Sequence, residues 1–186
     1  MKNRKVVKEE YVLVLDYLAH GYLNQSGGRN KPVVQGIGTK AFTLLELTPK
    51  KDVFLQPLDK VYIGNKEREK IHHIKGKLEY NKLSSTGKAE LEHALKQIVL
   101  EQEERFVNFF NKAQPLNTRT HIIEMLPGVG KKHLQVLVEE RRIKDFESFA
   151  DIKNRVKMMP NPEKVVVKRI LAELQGKEKH DLFVGR

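Results

Sequence analysis

Residue types and spacing best fit a chemical task at Leu126-Pro127-Gly128-Val129-Gly130-Lys131-Lys132. Two glycines one residue apart let the chain turn tightly through φ > 0 and clear side chains from the turn. The amphipathic pattern that opens at Lys131 supplies amides without intrahelical acceptors and the positive end of a helix dipole. Converging amides of this kind hold phosphate oxygens, and Lys131 and Lys132 add charge beside them. Nothing here reaches a base edge, so the predicted ligand is a nucleic-acid backbone, gripped with little sequence preference. The same residues also suit a plain helix–helix turn or a protein-docking hairpin.

A shift of 33 residues lays Met159-Pro160-Asn161-Pro162-Glu163-Lys164 over Leu126 to Lys131. The apolar-Pro start and the lysine match, but Asn161 and Glu163 replace both glycines. Glu163 would repel a phosphate, so this copy reads as structural, with Lys164, Lys168 and Arg169 touching backbone from the helix face. A dinucleotide reading of Gly128-x-Gly130 fails because a helix pattern, not a strand, precedes it. Gly36-x-Gly38 reads as a loop-to-strand turn, and Gly87-Lys88-Ala89 lacks the rest of a P-loop. His72 and His73 are adjacent on a strand pattern and point to opposite faces, which argues against a shared metal ion. Glu103-Glu104 and Glu139-Glu140 read as solvated helix residues. No nucleophile–base arrangement is visible, and the chain reads as non-catalytic, without a metal site.

The elements that must position these residues fall into three stretches. Residues 1–83 read as a small β-barrel. Its runs are Tyr11–Leu15 continuing to Leu18, Ala41–Leu47, Val61–Ile63 and Ile71–Tyr80, with Gly76 marking a bulge or bend. Asn24–Asn30 is loop; it and Lys31 read as a mobile, solvated segment, with closure of Arg29 and Lys31 over a ligand as the alternative. Residues 84–113 read as one long helix with its cap at Ser85 or Thr86. Its stripe is Leu91, Leu95, Ile98, Gln102, Phe106 and Phe109. Residues 114–186 read as short helices. The first runs from a cap at Asn117 or Thr118 to Met125, the second opens at Lys131, the third starts at Ser148 or Asp151, and the last covers Glu163–Gln175 and stops at Gly176. The class is α+β. A barrel of this kind binds single strands through aromatic platforms and a basic groove. Its candidates here are Tyr62, His72 and Tyr80, with Lys60, Lys66, Arg68, Lys75 and Lys77.

The charge follows the same partition. The 186 residues carry 35 Lys and Arg against 24 Asp and Glu, a formal net charge of +11. Residues 1–83 hold 16 basic and 9 acidic groups, and residues 114–186 hold 15 and 10, across a nearly neutral middle. Such a surface favours anionic partners. The absence of Cys excludes disulfides, thiolate metal sites and cysteine nucleophiles. No run approaches the roughly 20 apolar residues of a membrane span, and no h-region follows the basic Met1–Lys5, so a cytoplasmic protein without a membrane partner is expected.

Leu126–Lys131 resembles the helix-hairpin-helix motif, with Val129 in its usual Ile place. That resemblance implies phosphate contacts at Gly128, Val129, Gly130, Lys131 and Lys132, and in some members a monovalent cation on hairpin carbonyls. Phe146–Ile152 is similar to the connecting helix that follows many such motifs. Tyr11-Val12-Leu13, Gly36-x-Gly38 and Asp59–Gly64, followed by the long helix and the hairpin, make the whole chain resemble the archaeal family called domain of unknown function 655. The resemblance implies an OB-like barrel joined to a helix-hairpin-helix domain, with RNA or nucleotide binding and no assigned reaction. Its gene neighbourhood among translation and rRNA-modifying proteins favours RNA over DNA. The competing expectations are a DNA-binding protein and an interaction module on ribosomal or transcription proteins.

Overall fold

The computed structural model describes residues 7–22 and 31–185. The Met1–Lys5 segment, the Asn24–Asn30 loop and Arg29 lie outside the described residues. The chain divides into two compact units, residues up to Ala94 together with those from Ala172, and Leu95–Leu171.

The first unit is built on a five-stranded antiparallel sheet in the order β4-β1-β2-β3-β5. The strands are β1 (Tyr11–Leu18), β2 (Val33–Gly38), β3 (Leu44–Pro49), β4 (Lys60–Tyr62) and β5 (Ile71–Lys77). The sheet is curled and open, since β4 and β5 are its two edges. Alternate residues Val12, Val14, Val34, Leu45, Leu47, Val61 and Ile71 form one buried apolar cluster on it. Gly76 sits where the β3–β5 register shifts, as the sequence predicts: Glu46 faces Gly76 and Leu47 faces Ile74.

Gly36 and Gly38 are not a turn before a strand but part of β2, every residue of which is buried. A side chain at Gly36 would collide with Val12, and one at Gly38 with the Glu9 carboxyl. The glycines admit neighbours from elsewhere in the sequence, which local turn chemistry cannot reveal. The buried Glu9 carboxylate accepts from the amides of Lys40 (2.8 Å), Ala41 (2.9 Å) and Thr43 (3.1 Å) and so fixes the β2–β3 turn.

The long helical stretch is two helices, α1 (Ser85–Glu101) and α2 (Glu103–Lys112), broken at Gln102. The buried residues of α2 are Phe106, Val107 and Phe110, so Phe110 and not the expected Phe109 lies inward, with Phe109 half-buried. Ser84, rather than Ser85 or Thr86, serves the start of α1. Its Oγ accepts from Gly87 N at 2.9 Å and donates to Asp16 Oδ2 at 2.6 Å. The two units divide inside α1, after Ala94.

In the second unit the helix predicted to end at Met125 is only a 3-10 turn, Ile122–Met125. The residues before it are spent on a turn in which Asn117 Oδ1 accepts from Arg119 N and Thr120 N. Then follow α3 (Lys131–Ile143), α4 (Phe149–Arg155) and α5 (Pro162–Leu174). Ser148 caps α4 by accepting from Asp151 N at 3.0 Å. Glu140 is not merely solvated: Arg155 pairs with it at 3.1 Å and with Asp151 at 3.2 Å, over the Phe146 ring. Glu103 likewise accepts from Phe149 N at 2.6 Å. Gly176, at φ +70, ends α5, and its amide and that of Lys177 satisfy the Glu173 and Ala172 carbonyls. Within the first unit, Glu173 then accepts from the amides of Leu182, Phe183 and Val184, and Gly185 donates to Ala41 O.

Candidate functional site

The hairpin is assembled from commitments on both sides. Its entry turn is capped by His121, whose Nδ1 accepts from Ile123 N at 3.2 Å while Glu124 accepts from His121 N at 2.9 Å. Burial, and then Arg141, hold the His121 imidazole below its ordinary pKa, against the pull of Glu124. Gly128 adopts φ +79, where an added Cβ would also press on Pro160 at 3.2 Å. Pro160 therefore seats the second, glycine-free turn directly against the first.

The amides divide into two groups. Val129 N donates to Leu126 O at 3.1 Å and its side chain is buried, so Val129 plugs the hairpin. Gly130 N donates to His133 Nδ1 at 3.3 Å. The amides of Gly128, Lys131 and Lys132 have no hydrogen-bond partner among the described residues. Gly130 needs no special backbone (φ −100, ψ −179), and a Cβ on it would meet nothing within 4 Å. Its face is open at the start of α3, and the side chains of Lys131 and Lys132 are exposed beside it. The sequence motif does not reveal that two of its amides are used internally. The ring three residues after Gly130 was the available signal, since the third helical position commonly supplies a return hydrogen bond.

The residues assigned to the helix face separate. Lys164 and Lys168 are exposed. Arg169 is not a surface contact: it is 2% exposed and donates from Nη1 to Met125 O at 2.8 Å. A period of three to four places Arg169 beside Ile170 and Val166 on the buried stripe, so α5 carries it inward.

The barrel-face candidates also separate. Tyr62 is held edge-on to Tyr11 at 5.3 Å, its hydroxyl accepts from Lys66 N at 3.1 Å, and Gly64 lies against its ring. Lys60 lies over the Tyr11 ring at 5.5 Å. Lys75 is paired with Glu46 at 2.7 Å, and Glu46 also accepts from Tyr22. Burial chiefly, and Glu46 beside it, raise the Tyr22 phenol above its ordinary pKa. Tyr80 lines a different cleft, of about 640 Å³, with Phe42 and Gly176, and has Lys88 over its ring at 5.7 Å. Tyr62 and Lys77 do meet, across a cleft of about 690 Å³ that Lys8, Lys66 and Arg68 also line. Lys8, just before β1, reaches this cleft because β1 pairs with β4, a long-range contact that sequence spacing does not reveal. His72 and His73 are both exposed. Among the described residues, no group of three or more His, Cys, Asp or Glu is placed to hold a metal ion. No described helix is long and apolar enough to cross a membrane.

Fold and site together define a mixed α+β protein with an open antiparallel sheet in one unit and short helices around a glycine hairpin in the other. The chain belongs to the family described as protein of unknown function (DUF655), whose model matches residues 8–185. It is 41% identical over 185 residues to an uncharacterized protein of Methanocaldococcus jannaschii, covering 98% of this chain and 83% of that protein. It is also similar to the crystal structure of a protein of this family model from Archaeoglobus fulgidus. There the TM-score is 0.87 at 39% identity, over 94% of this chain and 99% of the other.

Proposed function

We propose that the protein is a non-catalytic nucleic-acid-binding protein that grips the phosphate backbone at its Gly128–Lys132 hairpin, with RNA as the preferred ligand. One observation carries the reading: the unpartnered amides of Gly128, Lys131 and Lys132 flank the open face of Gly130, with two exposed lysines beside it. Oriented amides at a helix start favour an anion, and a lysine-rich surface of net charge +11 raises its local concentration. In this reading the hairpin is of the helix-hairpin-helix type, and a monovalent cation can sit on its carbonyls. The strand order β4-β1-β2-β3-β5 supports an OB-like description of the sheet. The preference for RNA rests on the family resemblance. Its setting would be cytoplasmic, near translation.

Fluorescence anisotropy with labelled RNA and DNA, over a series of KCl concentrations, tests it. Affinity is expected to fall linearly with salt on logarithmic axes, with little dependence on sequence. Absence of binding at low salt, or binding indifferent to salt, overturns it. A second reading, docking on a ribosomal or transcription protein, draws on Ile143 and Met158, which are 80% and 92% exposed. Capture of one defined protein that persists after nuclease treatment would favour it.

A further inference from the structure

The cleft lined by residues of both edge strands, β4 and β5, carries an excess of positive charge. Lys8 and Lys66 stand on one side, Lys77 on the other, and Arg68 is on the wall between. None of these four has an ion-pair partner among the described residues, in contrast to Lys75 nearby. Arg68 is not loose, because its Nε donates to Gly64 O at 3.0 Å. Two carboxylates, Glu9 and Glu10, line the cleft against these four cations, and Glu9 is held in place by three turn amides, so positive charge stays in excess.

The floor is apolar, with Leu45, Ile63 and Ile74. A second cleft, of about 280 Å³, shares Gly64, Asn65, Lys66 and Arg68 with the first and adds Lys50, His72 and one carboxylate, Glu67, so its cations still outnumber its acid. The Gly64–Arg68 loop is therefore a wall with a basic hollow on either side. Two hollows on one basic wall fit a ligand with repeating charge better than a single small anion.

We infer that this edge cleft is a second nucleic-acid site, specific for single strands, with phosphates on Lys66, Arg68 and Lys77 and the sugar–base body over the apolar floor. The inference rests on the nucleic-acid reading above but not on the hairpin. A flexible strand can enter a concave cleft about 690 Å³ in volume, whereas a rigid duplex cannot follow its walls. Tyr62 acts here as a pinned wall and not as a stacking platform, since its ring is already covered by Tyr11 and Gly64.

The test uses the full chain and a 12-nucleotide single-stranded RNA beside its duplex, both read by anisotropy. The charge-removing pair Lys66→Gln/Lys77→Gln is compared with Lys131→Gln/Lys132→Gln. All four side chains are exposed, and circular dichroism with a thermal melt checks folding. Loss of two phosphate contacts should lower the single-strand salt slope by about 1.4 and weaken binding about tenfold, with duplex affinity unchanged. Unchanged single-strand affinity and slope in the cleft pair overturns the second site, and leaves the hairpin reading intact if the hairpin pair is weakened. Wild-type protein that binds neither RNA overturns both. Competition by a free nucleoside monophosphate below millimolar concentration would show that one nucleotide fills the site, and would overturn its extension along the wall.

Discussion

Arg169 in α5 donates to the carbonyl of Met125, 44 residues away and one residue before the hairpin segment begins. This bond ties the last helix to the turn that presents Gly128–Lys132, and it places a positive charge where almost no solvent reaches. An arginine so placed holds the hairpin in position from behind.

Replacing Arg169 by Met should therefore cost about 1.5–3 kcal/mol of stability, the range for a hydrogen bond to a charged group. Lys168→Met, on the exposed face one residue away, should stay within about 0.5 kcal/mol. Urea denaturation of the two variants measures the contrast, and equal destabilisation would contradict the assigned role.

The two hairpin glycines should respond differently to substitution. Gly128→Ala forces a side chain into φ +79 against Pro160 and should cost about 1–2 kcal/mol. Gly130→Asp places a favoured capping residue in open space, so stability should be kept or raised. The same carboxylate occupies the anion position and should weaken RNA binding about tenfold. A folded Gly130→Asp variant with wild-type affinity would remove the hairpin from the binding surface.

His121 makes the second unit sensitive to acid. Its Nδ1 must stay unprotonated to accept from Ile123 N, and burial lowers its pKa below the ordinary 6.5. The unfolded chain therefore binds a proton first as pH falls, and stability declines from about pH 6.5 downward. The slope from this group is at most about 1.4 kcal/mol per pH unit, ending at the lowered folded value. Melting temperatures between pH 5 and 8 should show this decline, and His121→Asn, which keeps a capping acceptor without titrating there, should flatten it.

Glu9 is the anchor of the β2–β3 turn. Glu9→Ala strands three amides and opens space above Gly38, and should cost about 3 kcal/mol or more. Glu9→Gln retains one acceptor oxygen and should cost less. Thermal melts of both variants test the order.

Much of the hairpin was legible because its chemistry is local. Gly128 takes positive φ, α3 opens at Lys131, Ser148 caps α4 and Gly176 ends α5, each through contacts within a few residues. The strands at Tyr11, Val61 and Ile71 were legible for the same reason, since alternation and flanking turns lie in the segment itself. Gly36 and Gly38 were not, because the side chains they admit come from Val12 and Glu9 on other segments. Arg169 reads as a surface cation until the 3.6-residue period of α5 is set against what α5 buries. The break at Gln102 likewise has no proline or glycine to announce it. The sequence by itself determined which segment could turn tightly and open a helix, because φ preferences and helix starts are short-range properties. Only the tertiary structure decided which amides stay uncommitted and which cations converge, because those depend on the curl of a sheet and on partners tens of residues away.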